Sequence, residues 1–114
     1  MKKINTLKKN YEFKYVLSSG RFYREKHITA YIKENRKKKN VIGIAVNTKS
    51  GKAVRRNRVK RLIRENYRLL RNQLFDGYNI VFLWNRNSNI EDANFFDIQK
   101  EMIEIFQKAK IFKK

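Results

Sequence analysis

Between residues 54 and 74 the chain repeats apolar side chains at helical spacing while carrying cations on the other side. At 100° per residue, Val59, Leu62, Ile63, Leu70 and Leu74 share one face, and Asn57, Lys60, Arg61, Arg64, Arg68 and Arg71 share the opposite one. Such a helix needs a second layer of structure against its apolar stripe. Its cationic stripe needs an anion. Residues 49–64 hold eight Lys or Arg among sixteen positions and no Asp or Glu. Lys49, Lys52, Arg55 and Arg56 crowd the N-terminal end, where the helix dipole is positive and unpaired N–H groups point outward. Cations there destabilise a free helix and suit one that holds phosphates. With no carboxylate before Glu65 to neutralise the run, a polyphosphate is the expected partner.

Composition narrows the class. The 114 residues make one domain with one modest core. Twenty-nine Lys and Arg against ten Asp and Glu give a net charge of +19, which points to nucleic acid or an anionic membrane. Compositional bias would scatter the cations, yet seven of the eleven Arg lie between Arg55 and Arg71. The absence of Cys removes disulfides and thiolate metal sites. The longest apolar run, residues 80–84, is far too short to span a bilayer, and residues 1–10 lack the apolar core of a signal peptide. A soluble cytoplasmic protein is expected, with no membrane and no small-molecule substrate.

Read in order, residues 1–9 form a flexible basic arm that orders on binding. Asn10 is a suitable N-cap for a short helix with Phe13, Val16 and Leu17 on one face and Gly20 as its stop. Residues 21–25 read as a strand. In the next strand, residues 28–34, Ile28, Ala30 and Ile32 face one way and Thr29, Tyr31 and Lys33 the other. A cationic loop over residues 35–40 leads to a strand at 41–47, with Ile42, Ile44 and Val46 on one side and Gly43 and Ala45 on the other. After the basic helix, Asp76-Gly77 signals a turn and residues 78–84 read as a mostly buried strand. Residues 85–89 read as loop with nothing to order them. Asn94 and Asp97 resemble a capping box for a final helix with Ile98, Met102, Ile105, Phe106 and Ala109 as its apolar stripe. The expected architecture is α+β, in the order α-β-β-β-α-β-α, with one sheet packed by helices in a single domain over 1–114.

Catalytic chemistry is sparse. His27 is the only histidine, at a strand start where a structural role is expected. Five of the ten carboxylates fall between Glu91 and Glu104, and those of the last helix are expected on its solvated side. Lys49-Ser-Gly-Lys52 lacks the phosphate-loop pattern. Nothing here activates water without help. Aromatics offer something else, because single-stranded RNA is held by stacking on aromatic faces beside a cationic groove. Pattern alone favours Phe13 as a core residue, while Tyr31 shares its strand face with Thr29 and Lys33 rather than with the isoleucines.

Residues 52–64, Lys-Ala-Val-Arg-Arg-Asn-Arg-Val-Lys-Arg-Leu-Ile-Arg, resemble the Arg-Asn-Arg signature of the protein subunit of bacterial ribonuclease P, and the resemblance runs from Leu7 to the last helix. It implies a strand–helix–strand crossover of the rare left-handed kind, where general rules favour the right-handed one. It implies a protein that works with a catalytic RNA subunit, which carries out the Mg-dependent hydrolysis removing the 5′ leader of precursor tRNA. The protein subunit would bind the single-stranded leader in a central cleft and help recruit metal ions; Mg itself would be held mainly by the RNA. Cleft aromatics of the family fall on Phe13, Leu17 and Tyr31, with Leu17 departing from the usual aromatic and keeping only apolar contact. Polar cleft positions fall on Arg56, Asn57, Lys60 and Arg64. Contacts to the catalytic RNA fall on Lys49, Lys52, Arg55, Arg58, Arg61 and Arg68. The family's usual Arg after the last strand is displaced here, with Trp84-Asn85 intervening before Arg86, so that contact is not transferred.

Two other classes share the basic helix: a ribosomal-type structural RNA-binding protein, and a basic amphipathic protein of membrane surfaces or the nucleoid. An aromatic groove at Phe13 and Tyr31 favours the ribonuclease P reading, since a purely structural RNA binder needs no cleft for a leader.

Overall fold

The computed structural model describes residues 3–113. Its elements are β1 (Asn5–Thr6), α1 (Asn10–Ser19), β2 (Arg21–Arg24), β3 (Ile28–Glu34), β4 (Val41–Ala45), α2 (Ala53–Leu70), β5 (Tyr78–Trp84) and α3 (Phe95–Ala109). Short 3₁₀ turns at Thr48–Ser50, Arg71–Gln73 and Ile90–Asp92 join them. The five strands form one mixed sheet in the order β1-β4-β5-β3-β2. β5 is its centre: it pairs parallel with β4 (Ile42 opposite Ile80) and antiparallel with β3 (Ala30 opposite Phe82). The fold is therefore α+β, with one more strand than the sequence predicts.

Strand alternation sorts the side chains into two unequal cores. Ile28, Ala30, Ile32, Ile42, Ile80, Phe82 and Trp84 face α2 and α3, and close the main core with Val59, Ile63, Tyr67, Met102 and Phe106. Burying each large apolar side chain there stabilises the fold by roughly 1.5–3 kcal/mol. The Phe82 ring meets those of Tyr67 and Phe106 edge-on, each with centroids 6.2 Å apart. On the other face, α1 packs over β3 and β5. Its buried Val16 joins Leu7, Val41 and Val81 in a small second core, flanked by Phe13, Tyr31 and Leu83.

Several expectations need correction. The arm expected over residues 1–9 is not free along its length. Asn5 and Thr6 pair with Val41 and Ile42, the Leu7 N–H donates to the Ile42 carbonyl at 2.8 Å, and Leu7 is buried. Met1 and Lys2 lie outside the described residues. Lys9, not Asn10, is the N-cap of α1; the cap comes from Glu12, whose Oε1 accepts the N–H groups of Lys9 (3.0 Å) and Lys8 (3.1 Å). Residues 85–89 are tied down by Asn85, which is buried, accepts from the Thr29 hydroxyl at 2.6 Å and donates to the Glu25 carbonyl at 2.7 Å. Asn94 does cap α3, with Asp97 N–H donating to its Oδ1 at 3.0 Å.

Glu101 is the largest departure. It was expected on the solvated side of the last helix, yet it is buried and clasps the start of β3. Its Oε1 accepts the N–H groups of His27 (2.8 Å) and Ile28 (3.1 Å), while Oε2 pairs with His27 Nδ1 at 2.5 Å. The His27 ring in turn stacks on Trp84, centroids 5.4 Å apart. His27 thus has the structural setting expected of it.

Candidate nucleic-acid interface

The strand face that carries Tyr31 is only partly covered by α1. In the β2–β3 register Phe22 stands opposite Tyr31 and Arg24 opposite Thr29, so these side chains share that face. The Phe22 and Tyr31 rings lie 5.7 Å apart, and Phe22 is 63% exposed. Together with Asn47, Leu83 and Arg86 they line an open hollow of about 550 Å³. Aromatic faces beside arginines, at the carboxyl ends of the parallel pair β4 and β5, make a surface suited to unpaired bases and phosphates.

α1 brings Phe13 to the same face. Its ring lies directly over Gly43: a Cβ built there would sit 2.5 Å from Phe13 Cζ and 2.7 Å from Cε1. The missing side chain of Gly43 is what lets α1 approach so closely. Phe13 is half-buried against the second core, Tyr31 is half-buried beside it, and Leu17 is exposed one turn further along α1. Phe13 is thus partly a core residue, as its pattern suggested.

The cationic residues occupy α2, on the opposite side of the sheet. Because α2 links the parallel strands β4 and β5, it runs antiparallel to them and begins at the end where the hollow opens. Asn47 marks the junction: it lines the hollow, and its Oδ1 accepts the Lys49 N–H at 2.8 Å to start the turn into α2. Arg56, Asn57 and Lys60 fall on the first two turns, and Arg64 one turn beyond Lys60. None of these four lines the hollow with Tyr31. The structure brings the aromatics together on one face and the polar set to an adjoining end, rather than merging them.

The second set is similarly divided. Lys49, Lys52, Arg61 and Arg68 are exposed; Arg61 Nε lies 3.8 Å from Glu65, a loose pairing across one helical turn. Arg55 is neutralised from afar by Glu91, at 2.7 Å, which corrects the expectation that no carboxylate serves the run. Both partners are half exposed, so the pair contributes little to stability. Arg58 donates to the Ala93 carbonyl at 2.7 Å, and Arg56 Nε to the Gly51 carbonyl at 3.1 Å. These bonds tie Arg55, Arg56 and Arg58 to the segments around the helix start.

Phe22, Arg24 and Asn47 also line the hollow but were not among the expected site residues, and Arg86, noted in the sequence as a displaced family Arg and not transferred, lines it too. Pairing β2 against β3 in register would have placed Phe22 and Arg24 beside Tyr31; no local signal marks Asn47. Among the described residues, no three His, Cys, Asp or Glu side chains converge. No helix among those residues is long and apolar enough to cross a membrane.

The family model for ribonuclease P matches residues 1–110. The chain belongs to the ribonuclease P protein family. Ribonuclease P protein component of Clostridium botulinum (strain Loch Maree / Type A3) is 41% identical over 111 residues, spanning 96% of this chain and 98% of the relative. The component from Natranaerobius thermophilus is 38% identical over 114 residues, covering 100% of this chain and 97% of its own. Among solved structures, the Staphylococcus aureus RNase P protein matches with a TM-score of 0.84 at 27% identity, over 97% of this chain and 100% of that one. The Thermotoga maritima protein, at 23% identity, shares the fold with a TM-score of 0.81 over 91% and 96% of the two chains. As a ribonuclease P protein, the chain is a component of an endoribonuclease that processes tRNA.

Proposed function

We propose that this chain is the cytoplasmic subunit that joins the catalytic RNA of ribonuclease P to the single-stranded 5′ leader of precursor tRNA. The leader lies across Phe13, Leu17 and Tyr31 and passes toward Arg56, Asn57, Lys60 and Arg64 at the α2 end of the sheet. Lys49, Lys52, Arg55, Arg58, Arg61 and Arg68 contact the catalytic RNA, which holds Mg and performs the hydrolysis. The β4–α2–β5 crossover takes the family's left-handed course. The observation that carries this reading is the half-buried Tyr31 beside the exposed Phe22 ring, on a strand face flanked by arginines and left open by α1.

The test uses the reconstituted holoenzyme and precursor tRNAs with long and short leaders. Tyr31→Ala removes one stacking face, about 1–3 kcal/mol for a stacked base. Affinity falls for the long leader and is unchanged for mature tRNA. Arg61→Ala instead weakens assembly with the catalytic RNA whatever the leader length. If Tyr31→Ala weakens both substrates equally, Tyr31 is a folding or assembly residue and the cleft is elsewhere. RNA-free protein that still cut at the mature 5′ end would overturn the division of labour.

A further inference from the structure

The face of α1 turned away from the sheet carries a second set of features with no part in the cleft. Tyr11 and Tyr15 stand one turn apart there and are 64% and 56% exposed. Single exposed aromatics are ordinary on a protein surface. These two are accompanied by a cationic loop with unusual local geometry. Residues 36–39 read Arg-Lys-Lys-Lys, all exposed, and none lies within ion-pairing distance of a carboxylate among the described residues. Arg36 is held at φ 59°, a left-handed conformation that is uncommon for a residue with a side chain. Asn35 enforces it: its Oδ1 accepts the Lys37 N–H at 2.7 Å, and its Nδ2 donates to Asn79 Oδ1 at 2.9 Å and to the Lys39 carbonyl at 3.2 Å. Backbone strain that the surroundings maintain, in a run of like charges of which only Lys37 feels a nearby carboxylate, that of Glu12, is a reason to look for a ligand.

The loop borders two hollows, and each tyrosine lines one of them. One, of about 420 Å³, is lined by Tyr11, Lys8, Lys9, Lys37 and Lys39. The other, of about 730 Å³, is lined by Tyr15, Arg21, Lys33, Arg36 and Lys37. Lys37 lines both, so the two hollows meet at the loop and make a path that passes Tyr11 on one side and Tyr15 on the other. The Lys9 ammonium already lies 5.8 Å from the centre of the Tyr11 ring. Glu12 and Glu34 are the only carboxylates lining the path. Glu12 is committed to the N–H groups of Lys9 and Lys8.

We propose that this outer face of α1, with the 36–39 loop, is a second binding track for single-stranded RNA, separate from the cleft at Tyr31. Bases stack on Tyr11 and Tyr15 while Lys37 and Lys39 hold the backbone. The proposal rests on the reading above that the chain works on RNA, but on different residues. Charge complementarity selects the occupant: an excess of cations over carboxylates repels a basic partner, and the two exposed rings suit unstacked bases better than a duplex.

The probe is a fluorescein-labelled oligoadenylate of about twelve nucleotides, a length within the usual range for one single-strand site. Its binding to the full chain is measured by anisotropy, alongside a base-free backbone of the same length. In a Tyr31→Ala background, which weakens the cleft, Tyr11→Ala with Tyr15→Ala weakens oligoadenylate by about tenfold or more and leaves the base-free backbone unaffected. Tyr11→Phe with Tyr15→Phe retains wild-type affinity. Replacing Lys37 and Lys39 by Gln lowers the slope of log K against log salt by about 1.4, at roughly 0.7 per contact. Equal affinity of the alanine pair and its parent would overturn the proposal, as would loss of base-free backbone binding to the same degree. If instead Tyr31→Ala alone has no effect on leader-dependent binding by the holoenzyme, the cleft reading fails and this one stands.

Discussion

Gly43→Ala tests whether the approach of α1 to the sheet is as tight as the geometry requires. The backbone of Gly43 lies outside the left-handed region, so alanine fits the strand conformation itself. Without a clash, reduced freedom of the unfolded chain would make the substitution stabilising by about 0.4–1 kcal/mol. The new methyl, however, sits 2.5 Å from Phe13 Cζ and 3.2 Å from Leu7 Cδ1, where carbon atoms prefer about 3.5–4.0 Å. The ring must move by about 1 Å or swing out of the second core. Overpacking of this kind costs about 1–3 kcal/mol. The expected net loss is about 1–2 kcal/mol, read from urea midpoints at unchanged m-value, with a fall in Tm of several degrees. Placed in a Phe13→Ala background, the same substitution should turn neutral or stabilising. A Gly43→Ala variant that is more stable than wild type with Phe13 in place would refute the reasoning. So would a double-mutant cycle with no coupling between the two positions.

Glu101→Ala strips the acceptor from two backbone N–H groups and the His27 ring, each loss leaving a buried donor unpaired at about 1–3 kcal/mol; thermal melts should show one of the largest losses of any single substitution outside the main apolar core, with Glu101→Gln intermediate. Backbone N–H groups of Lys9 and Lys8 hold the Glu12 carboxyl below its usual pKa, so its contribution is complete above pH 4.5 and disappears as pH falls through the lower folded value; amide exchange at the start of α1 should rise over that acid range, and Glu12→Gln should flatten the change. Assembly with the catalytic RNA should weaken steeply with salt, each phosphate contact adding roughly 0.7–0.9 to the slope of log K against log salt, and Arg61→Gln with Arg68→Gln should lower that slope by between one and two contacts' worth.

What the sequence revealed, and what it hid, follows from the range of the interactions involved. The alternation of Ile28, Ala30 and Ile32 against Thr29 and Tyr31 is a local pattern, and the sheet obeys it residue by residue. The two-sided character of α2 was equally plain, since Val59, Leu62, Ile63 and Leu70 are all buried. β1 was invisible because two residues carry no period; they become a strand only when β4 is beside them. Asn85 and Glu101 looked like solvated polar residues because their partners lie 56 and 74 positions away. Their burial follows from backbone and hydroxyl groups that the tertiary fold leaves in need of a partner. The site divides the same way. Tyr31 could be placed by its strand face, whereas Phe22 and Arg24 needed the β2–β3 register, and Arg86 needed the end of the sheet to be known.

The central position of β5 has a consequence for how the chain is made. β3 and β4 are consecutive in sequence yet are not neighbours in the sheet: β3 pairs with β2 and β4 with β1, and only β5, which arrives after α2, joins the two pairs. Synthesis proceeds from the N-terminus at about 5–20 residues per second. For the seconds before Tyr78–Trp84 emerges, both strands present an unsatisfied edge, and the polycationic α2 is already outside the ribosome with no sheet to rest on. Sheet closure is thus a late, non-local event that a truncated chain ending before Tyr78 cannot imitate. Until β5 arrives the two strand pairs stay separate, and its insertion is the step that makes one sheet of them.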